Sequence, residues 1–296
     1  MSSSSWKGKT RGGLLGYKIF IFTFKTLGIS TAYALLGFVS AYYVLFAPVA
    51  SKSSYKFFRT KMHFGVLKTI TSVFRNFYLF GKTIIDKVAI GSGMGKQYSY
   101  SFDGEEHLKK LAETGGFIVS AHLGSWDIAG YLMENIQTTT HILMYQAEHE
   151  KIKAHLDDTM HEMKLNIIPI KEDMSHVFKV SMALSNKEIV CMHGDRFVEG
   201  SRTHKLPFLG EDAIFPLGPF AMISKLKAPY VFAYAVLKKS KNYALNSTPI
   251  KISETSPEEI LQEYVENMEE QVKENPWQWF NFYDFWSDKI KGAAKN

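Results

Sequence analysis

Val119-Ser120-Ala121-His122-Leu123-Gly124-Ser125-Trp126-Asp127 is the stretch on which the fold turns. Phe117 to Ala121 is a short apolar run containing β-branched residues and reads as a buried strand end, while Ser125 onward, through Ile128, Leu132 and Met133, reads as the start of a helix. Between them Gly124 allows a tight turn and Trp126 gives that turn an apolar side. His122 and Asp127 then meet across the turn. A neutral imidazole takes a proton from an attacking hydroxyl when a carboxylate fixes its tautomer and steadies the cation that forms, so no serine or cysteine nucleophile is required. The spacing by itself fits a hydrogen-bonded loop pair equally well, and the rest of the chain has to decide.

Downstream, Ile189-Val190-Cys191-Met192-His193-Gly194-Asp195-Arg196 repeats the design: an apolar strand ending in a glycine and two charged residues. Two strand ends with polar tips make a site. Leu206-Pro207-Phe208-Leu209-Gly210 and Phe215-Pro216-Leu217-Gly218-Pro219 then lead into a helical run from Phe220 to Lys225, and Pro229 to Leu237 reads as a further strand. Between the two polar tips the chain alternates: a strand at His141 to Tyr145, a helix around Glu148 to Lys164, a strand at Asn166 to Ile170 and a helix near Met174 to Leu184. Such alternation predicts an α/β fold with a central, largely parallel or mixed sheet flanked by helices.

With these four blocks in order, over roughly Gly116 to Trp286, the chain resembles the bacterial lipid A biosynthesis acyltransferases, membrane-bound late acyltransferases related to the glycerolipid acyltransferases that carry a His-x4-Asp motif. The resemblance implies that His122 is the general base on an acceptor hydroxyl and that Asp127 supports it. It implies acyl transfer from an acyl carrier protein or coenzyme A thioester as co-substrate, with no further cofactor, to a lipid or lipid-linked acceptor. Gly194, Asp195, Arg196 and Trp126 are the expected substrate-facing residues. The implied location is the inner membrane, with the catalytic domain on the cytoplasmic side. A lipid-binding protein that keeps the fold without catalysis, and a lipid hydrolase in which water replaces the acceptor, are the competing readings.

Charge points the same way. The net charge of +6 conceals an asymmetry: residues 1 to 100 hold 14 Lys and Arg against one acid, Asp86, whereas the remainder holds 21 against 28. A basic, aromatic-rich segment meets nucleic acid or an anionic membrane, and the apolar content favours the membrane. Residues 1 to 25 read as a basic arm; 26 to 51, free of charge, as a membrane-anchor helix; 52 to 96 as a basic amphipathic region; and 97 to 296 as the catalytic domain. As one helix, Leu27 to Ala50 would extend about 36 Å, enough to span a bilayer core of roughly 30 Å, although Gly28, Ser30, Thr31, Ser40 and Pro48 leave an interfacial helix or a core helix pair open. From Phe57 to Tyr78 apolar residues recur at three and four, with Lys and Arg interspersed, so the stripe packs on the core, turns to lipid, or does both.

The remaining motifs exclude more than they assign. Gly91-Ser92-Gly93-Met94-Gly95 lacks dinucleotide-loop spacing and reads as a linker. His149, His155 and His161 lie six apart, which turns them to different sides of a helix and argues against a metal site. The one cysteine, Cys191, allows no intramolecular disulfide and falls in a strand. Ser256-Pro257-Glu258-Glu259 is a capping box that opens a helix to about Asn275. The segment Pro276 to Trp286 sets seven aromatics in eleven residues, which either staple the C-terminus to the core or line an acyl pocket. For Arg196 two readings stand: a bidentate phosphate clamp, or a buried structural ion pair with Asp195 or another acid.

Overall fold

The structure, a computed structural model, describes residues 22–23, 26–126, 128, 138–145, 165–171, 173–198 and 200–286. The strands are β1 (Ser99–Asp103), β2 (Gly116–Ser120), β3 (Thr140–Tyr145), β4 (Leu165–Ile170), β5 (Ile189–His193), β6 (Thr203–Phe208), β7 (Glu211–Pro216), β8 (Pro229–Lys239), β9 (Asn242–Ser247) and β10 (Lys251–Ile252). Around them lie α1 (Ile29–Phe46), α2 (Pro48–Lys56), α3 (Val66–Ala89), α4 (Glu105–Thr114), α5 (Ser175–Ser185), α6 (Gly218–Leu226) and α7 (Pro257–Glu274).

The main sheet runs β1-β9-β8-β2-β5-β3-β4, with β10 also paired to β8, and β6 and β7 form a separate hairpin. Every neighbour along that path is parallel except β8 with β9, and β10 is antiparallel to β8. This is the mixed, mainly parallel sheet that the strand and helix alternation predicts. Its central strands β2, β5 and β8 are largely buried on both faces, which is why they read as continuous apolar runs, whereas the edge strand β1 is mostly exposed. Phe117 and Val119 of β2 join one core cluster with Val190 and Met192 of β5, while Ile118 points to the opposite face with Ile189.

The capping box closes as expected: the Ser256 hydroxyl accepts from the Glu259 N–H, and the Glu259 carboxylate accepts from the Ser256 N–H. The resulting α7 buries Ile260, Leu261, Tyr264, Val265, Met268 and Val272 on one face, against the core. The helices expected through Leu132 and Met133 and over Glu148 to Lys164, with His149, His155 and His161, lie outside the described residues apart from Trp126 and Ile128.

The N-terminal region departs from the single long helix expected over Leu27 to Ala50. The α1 helix ends at Phe46, Ala47 leaves helical geometry at φ −115° and ψ 67°, and Pro48 opens α2. Proline lacks the N–H that a continuing helix needs and its ring clashes with the preceding turn, so the chain breaks there. The amphipathic region is likewise divided, α2 passing into a π-helical turn (Phe57–Lys61) before α3 restarts after Gly65.

The amphipathicity of α3 is inverted over much of its length. It buries Thr69, Ser72, Asn76, Lys82, Thr83 and Asp86 together with Val73, Phe77, Ile85 and Ala89, while Leu67 (81 % exposed), Ile70, Phe74 and Ile84 face outward. The inward polar groups are satisfied. Asp86 takes Lys82 Nζ at 2.6 Å, Tyr33 Oη at 2.5 Å, Tyr98 Oη at 3.0 Å and the Tyr243 hydroxyl, which ties α1, α3 and β9 at one point. The α1 stripe Ile29, Ala32, Leu36 and Ser40 is buried, with Leu36 seated on Gly81 so closely that any Cβ there would meet it at 2.3 Å. Its other sides leave Phe38, Tyr42, Leu45 and Phe46 exposed.

Candidate active site

The site grows out of strand register. β2 and β5 are adjacent and parallel, and Ser120 stands opposite His193 at their carboxyl ends. The next residues leave the sheet together, Gly194 N–H donating to Ser120 O at 2.9 Å, so His122 and Asp195, each two positions past its strand, arrive side by side. The carboxyl end of a parallel sheet is where α/β folds place ligands.

Asp195 grips His122 twice. Its Oδ1 lies 2.8 Å from His122 Nδ1, and its Oδ2 accepts the His122 backbone N–H at 3.0 Å. Asp195 is 2 % exposed. Burial opposes its charge, but the charge of and hydrogen bond to His122, together with Arg196 and His193, outweigh that and hold the carboxyl well below the usual carboxylate range. An ionised carboxylate only accepts hydrogen bonds, so the proton between the two groups sits on Nδ1. The lone pair of the neutral ring is then on Nε2, the arrangement a general base requires.

The ring is also packed. His193 lies against it with centroids 4.4 Å apart, and Trp126 meets His193 edge-on at 5.9 Å. Burial, with help from His122 and Arg196 and against the pull of Asp195, pushes the His193 imidazole down to about 3, so it stays neutral. Behind the site Tyr264 Oη donates to Ser120 O at 2.8 Å.

The loop after His122 is fixed by backbone pairing. Ser125 N–H donates to Ala235 O at 2.7 Å and Gly124 N–H to Gln278 O at 2.9 Å. Gly124 has φ +71°, and a Cβ there would lie 2.0 Å from Ala235 O, so glycine is demanded by both conformation and space.

The C-terminal aromatic segment wraps this loop. Phe280 N–H donates to His122 O at 2.9 Å, and Leu123 pairs with Trp279 in a short antiparallel bridge. The Gln278 side chain holds both N–H and C=O of Leu237 on β8, and Asn76 of α3 donates to Trp277 O at 2.9 Å and Trp279 O at 3.2 Å. Trp279 is buried among Phe57, Phe208, Phe285 and Trp286. The segment is therefore core, and it is also a wall of the site.

Of the residues expected to form the site, His122, Trp126, Gly194, Asp195 and Arg196 are brought together, whereas Asp127 lies outside the described residues. Asp195, expected to face substrate, has its carboxylate on His122 instead, occupying the ring nitrogen that a supporting acid would take. Gly194 is a packing residue, since a Cβ there would approach Phe220 and Tyr264 to 2.9 Å. Arg196 Nη2 donates to Phe280 O at 2.6 Å, with its guanidinium 5.6 Å from the Tyr283 ring centre; it makes neither a salt bridge with Asp195 nor one with another described acid. Sequence reasoning missed His193 as the neighbour of the imidazole and residues 277 to 280 as its frame. The first was available from the parallel pairing of the two strands; the second had no local signal.

The sequence model of the bacterial lipid A biosynthesis acyltransferases matches residues 72–287, from the second turn of α3 to the end of the aromatic segment. No curated protein sequence matches the chain. Among solved structures, the chain is similar to the 1-acyl-sn-glycerophosphate (LPA) acyltransferase PlsC from Thermotoga maritima, at 12 % identity and a TM-score of 0.41, over 82 % of this chain and 97 % of that one. With the matched region spanning most of the sheet and the whole of the described site, the chain belongs to the bacterial lipid A biosynthesis acyltransferase family and is an O-acyltransferase acting on a lipid.

Proposed function

We propose that this enzyme moves a fatty acyl group from an acyl carrier protein or coenzyme A thioester to a hydroxyl of a lipid or lipid-linked acceptor at the membrane surface, with His122 as general base. The observation that carries this reading is the buried Asp195 carboxylate on His122 Nδ1 at 2.8 Å, which leaves Nε2 as the proton acceptor. The acceptor hydroxyl gives its proton to Nε2 as its oxygen attacks the thioester carbonyl. The tetrahedral intermediate collapses with loss of the thiolate, which takes that proton back from the imidazolium. Asp195 stabilises the transient cation, and no acyl-enzyme forms.

Membrane association is supported by the outward apolar residues of α1 and α3. Among the described residues one helix, Ile29–Phe46, is long and apolar enough to cross a membrane. Exposed Leu67, Ile70 and Phe74 on α3, and Phe38, Leu45 and Phe46 on α1, are costly in water and suit a lipid surface. Lys68 and Arg75 lie seven residues apart on one side of α3, where they stack over the Phe64 and Trp277 rings at 3.8 Å, and they add positive charge near this surface. The inner membrane, with the catalytic domain on its cytoplasmic side, is the location this reading assigns.

Total lipids from cells with and without the protein test the reading. The expected difference is a species heavier by one acyl chain in cells that carry it and absent from cells carrying His122→Ala. Identical lipid profiles from cells with folded, membrane-bound wild-type protein would overturn it.

A further inference from the structure

We propose that Arg196 is a positioning residue that holds the imidazole through the C-terminal segment, and is not a contact to substrate phosphate; the proposal rests on the reading of His122 as the base. Arg196 Nη2 donates to Phe280 O at 2.6 Å, and the N–H of the same residue donates to His122 O at 2.9 Å. From the other side Asp195 holds the His122 N–H at 3.0 Å and Nδ1 at 2.8 Å. Because Asp195 and Arg196 are consecutive, these bonds close a ring through residues 195, 122, 280 and 196. His122 is gripped at its N–H, its C=O and its ring, and every grip returns to the one dipeptide that follows β5.

The guanidinium is poorly placed for the alternative. Side-on recognition of a phosphate uses Nε together with one terminal nitrogen. Here Nη2 is committed to the Phe280 carbonyl, and Nε is buried with no hydrogen-bond partner among the described residues. The Tyr283 ring stands 5.6 Å from the guanidinium carbon. A cation fixed on the Phe280 carbonyl acts through the residue it holds, and that residue's own N–H donates to the catalytic loop at His122 O.

The test compares full-length wild-type, Arg196→Met and Arg196→Lys in detergent, measuring kcat and KM for thioester donor and lipid acceptor separately. A loose imidazole costs turnover and leaves binding intact, so Arg196→Met should lower kcat about ten- to a hundredfold with both KM values nearly unchanged. Lysine supplies the single donor that a carbonyl needs and should restore most of the loss. A phosphate clamp gives the opposite pattern: KM rises for the phosphate-bearing substrate, and lysine, lacking the fork, does not rescue.

Hydrogen–deuterium exchange on Arg196→Lys and Arg196→Met gives a second readout that needs no activity. Exchange in segments 121–125 and 277–283 should rise together in the methionine variant and stay near wild-type in the lysine variant; unchanged protection in both would overturn the clamp. If Arg196→Met does not fold, Arg196→Lys decides alone: kcat and both KM values near wild-type support the clamp, and a raised KM for the phosphate-bearing substrate overturns it. Full turnover by folded His122→Ala would instead overturn the reading of the base, leaving the exchange result to judge the clamp by itself.

Discussion

Asp195→Asn separates the two acids that could serve His122. In the wild-type protein an ionised, buried carboxylate accepts from Nδ1 at 2.8 Å and from the His122 backbone N–H at 3.0 Å. Asparagine is nearly the same shape and keeps one acceptor for the backbone N–H, but its amide then donates toward Nδ1. The ring proton moves to Nε2, and the nitrogen that should accept from the substrate becomes a donor. The variant also loses the charge that stabilises the imidazolium. In serine hydrolases the equivalent exchange costs about 10⁴ in kcat, and a loss of about 10³ to 10⁴ is expected here. Stability should change less, by about 1–3 kcal/mol, because the backbone bond survives and no charge is stranded. The assay is thiol release from an acyl thioester in the presence of acceptor, with thermal unfolding followed on the same preparation. Asp127→Asn is measured beside it. Near-normal kcat in folded Asp195→Asn, with activity lost in Asp127→Asn, would refute the assignment and return the supporting role to Asp127.

Three further outcomes follow from particular contacts. Gly124→Ala forces a Cβ onto Ala235 O and a side chain into φ +71°, so the protein should lose about 3 kcal/mol or more and melt markedly earlier; an unchanged Tm would contradict the geometry of the loop. His193 is depressed to about 3 in the fold against about 6.5 in an unfolded chain, so between those values the unfolded state holds one more proton. Stability should therefore fall as pH drops through this window, by up to about 1.4 kcal/mol per pH unit from His193. Burial also depresses His176, which adds a loss over the same range, and Asp195 contributes its own loss only below about 3.8. The share of His193 is therefore read as the difference between wild-type and His193→Gln, which should have the flatter dependence. Replacing exposed Leu67 and Ile70 together by glutamate should release the protein from anionic vesicles with little change in Tm, since two fully buried aliphatic side chains are worth about 3–6 kcal/mol; undiminished binding would show that α3 does not face lipid.

The sheet was legible because its central strands are largely buried on both faces: Phe117 to Ala121, Ile189 to His193 and Pro229 to Leu237 are apolar runs closed by glycine or charge. The helix after Ser256 was legible from its capping box. The edge elements were not. Ser99–Asp103 and Asn242–Ser247 are polar or mixed, and their pairing with each other and with β8 is set by the sheet rather than by local pattern. The two polar strand tips announced a site, but the choice of carboxylate on His122 depends on Ser120 standing opposite His193, a register that no single segment encodes. The inversion of α3 was hidden for a similar reason. Ser72 and Asn76 face inward because their partners, Trp277 Nε1 and the carbonyls of Trp277 and Trp279, lie some two hundred residues away. The aromatic run was recognisable as too apolar to expose, while its role as the frame of His122 comes from backbone hydrogen bonds, to which side-chain patterns are blind.

Single-turnover acyl transfer by purified full-length protein tests the central claim most directly, with a labelled acyl thioester as donor and lipid extract as acceptor, in wild-type and His122→Ala side by side. The account predicts a lipid-bound acyl product from the wild-type protein and a rate at least about a hundredfold lower from His122→Ala of equal Tm. Equal rates from the two folded proteins would contradict it.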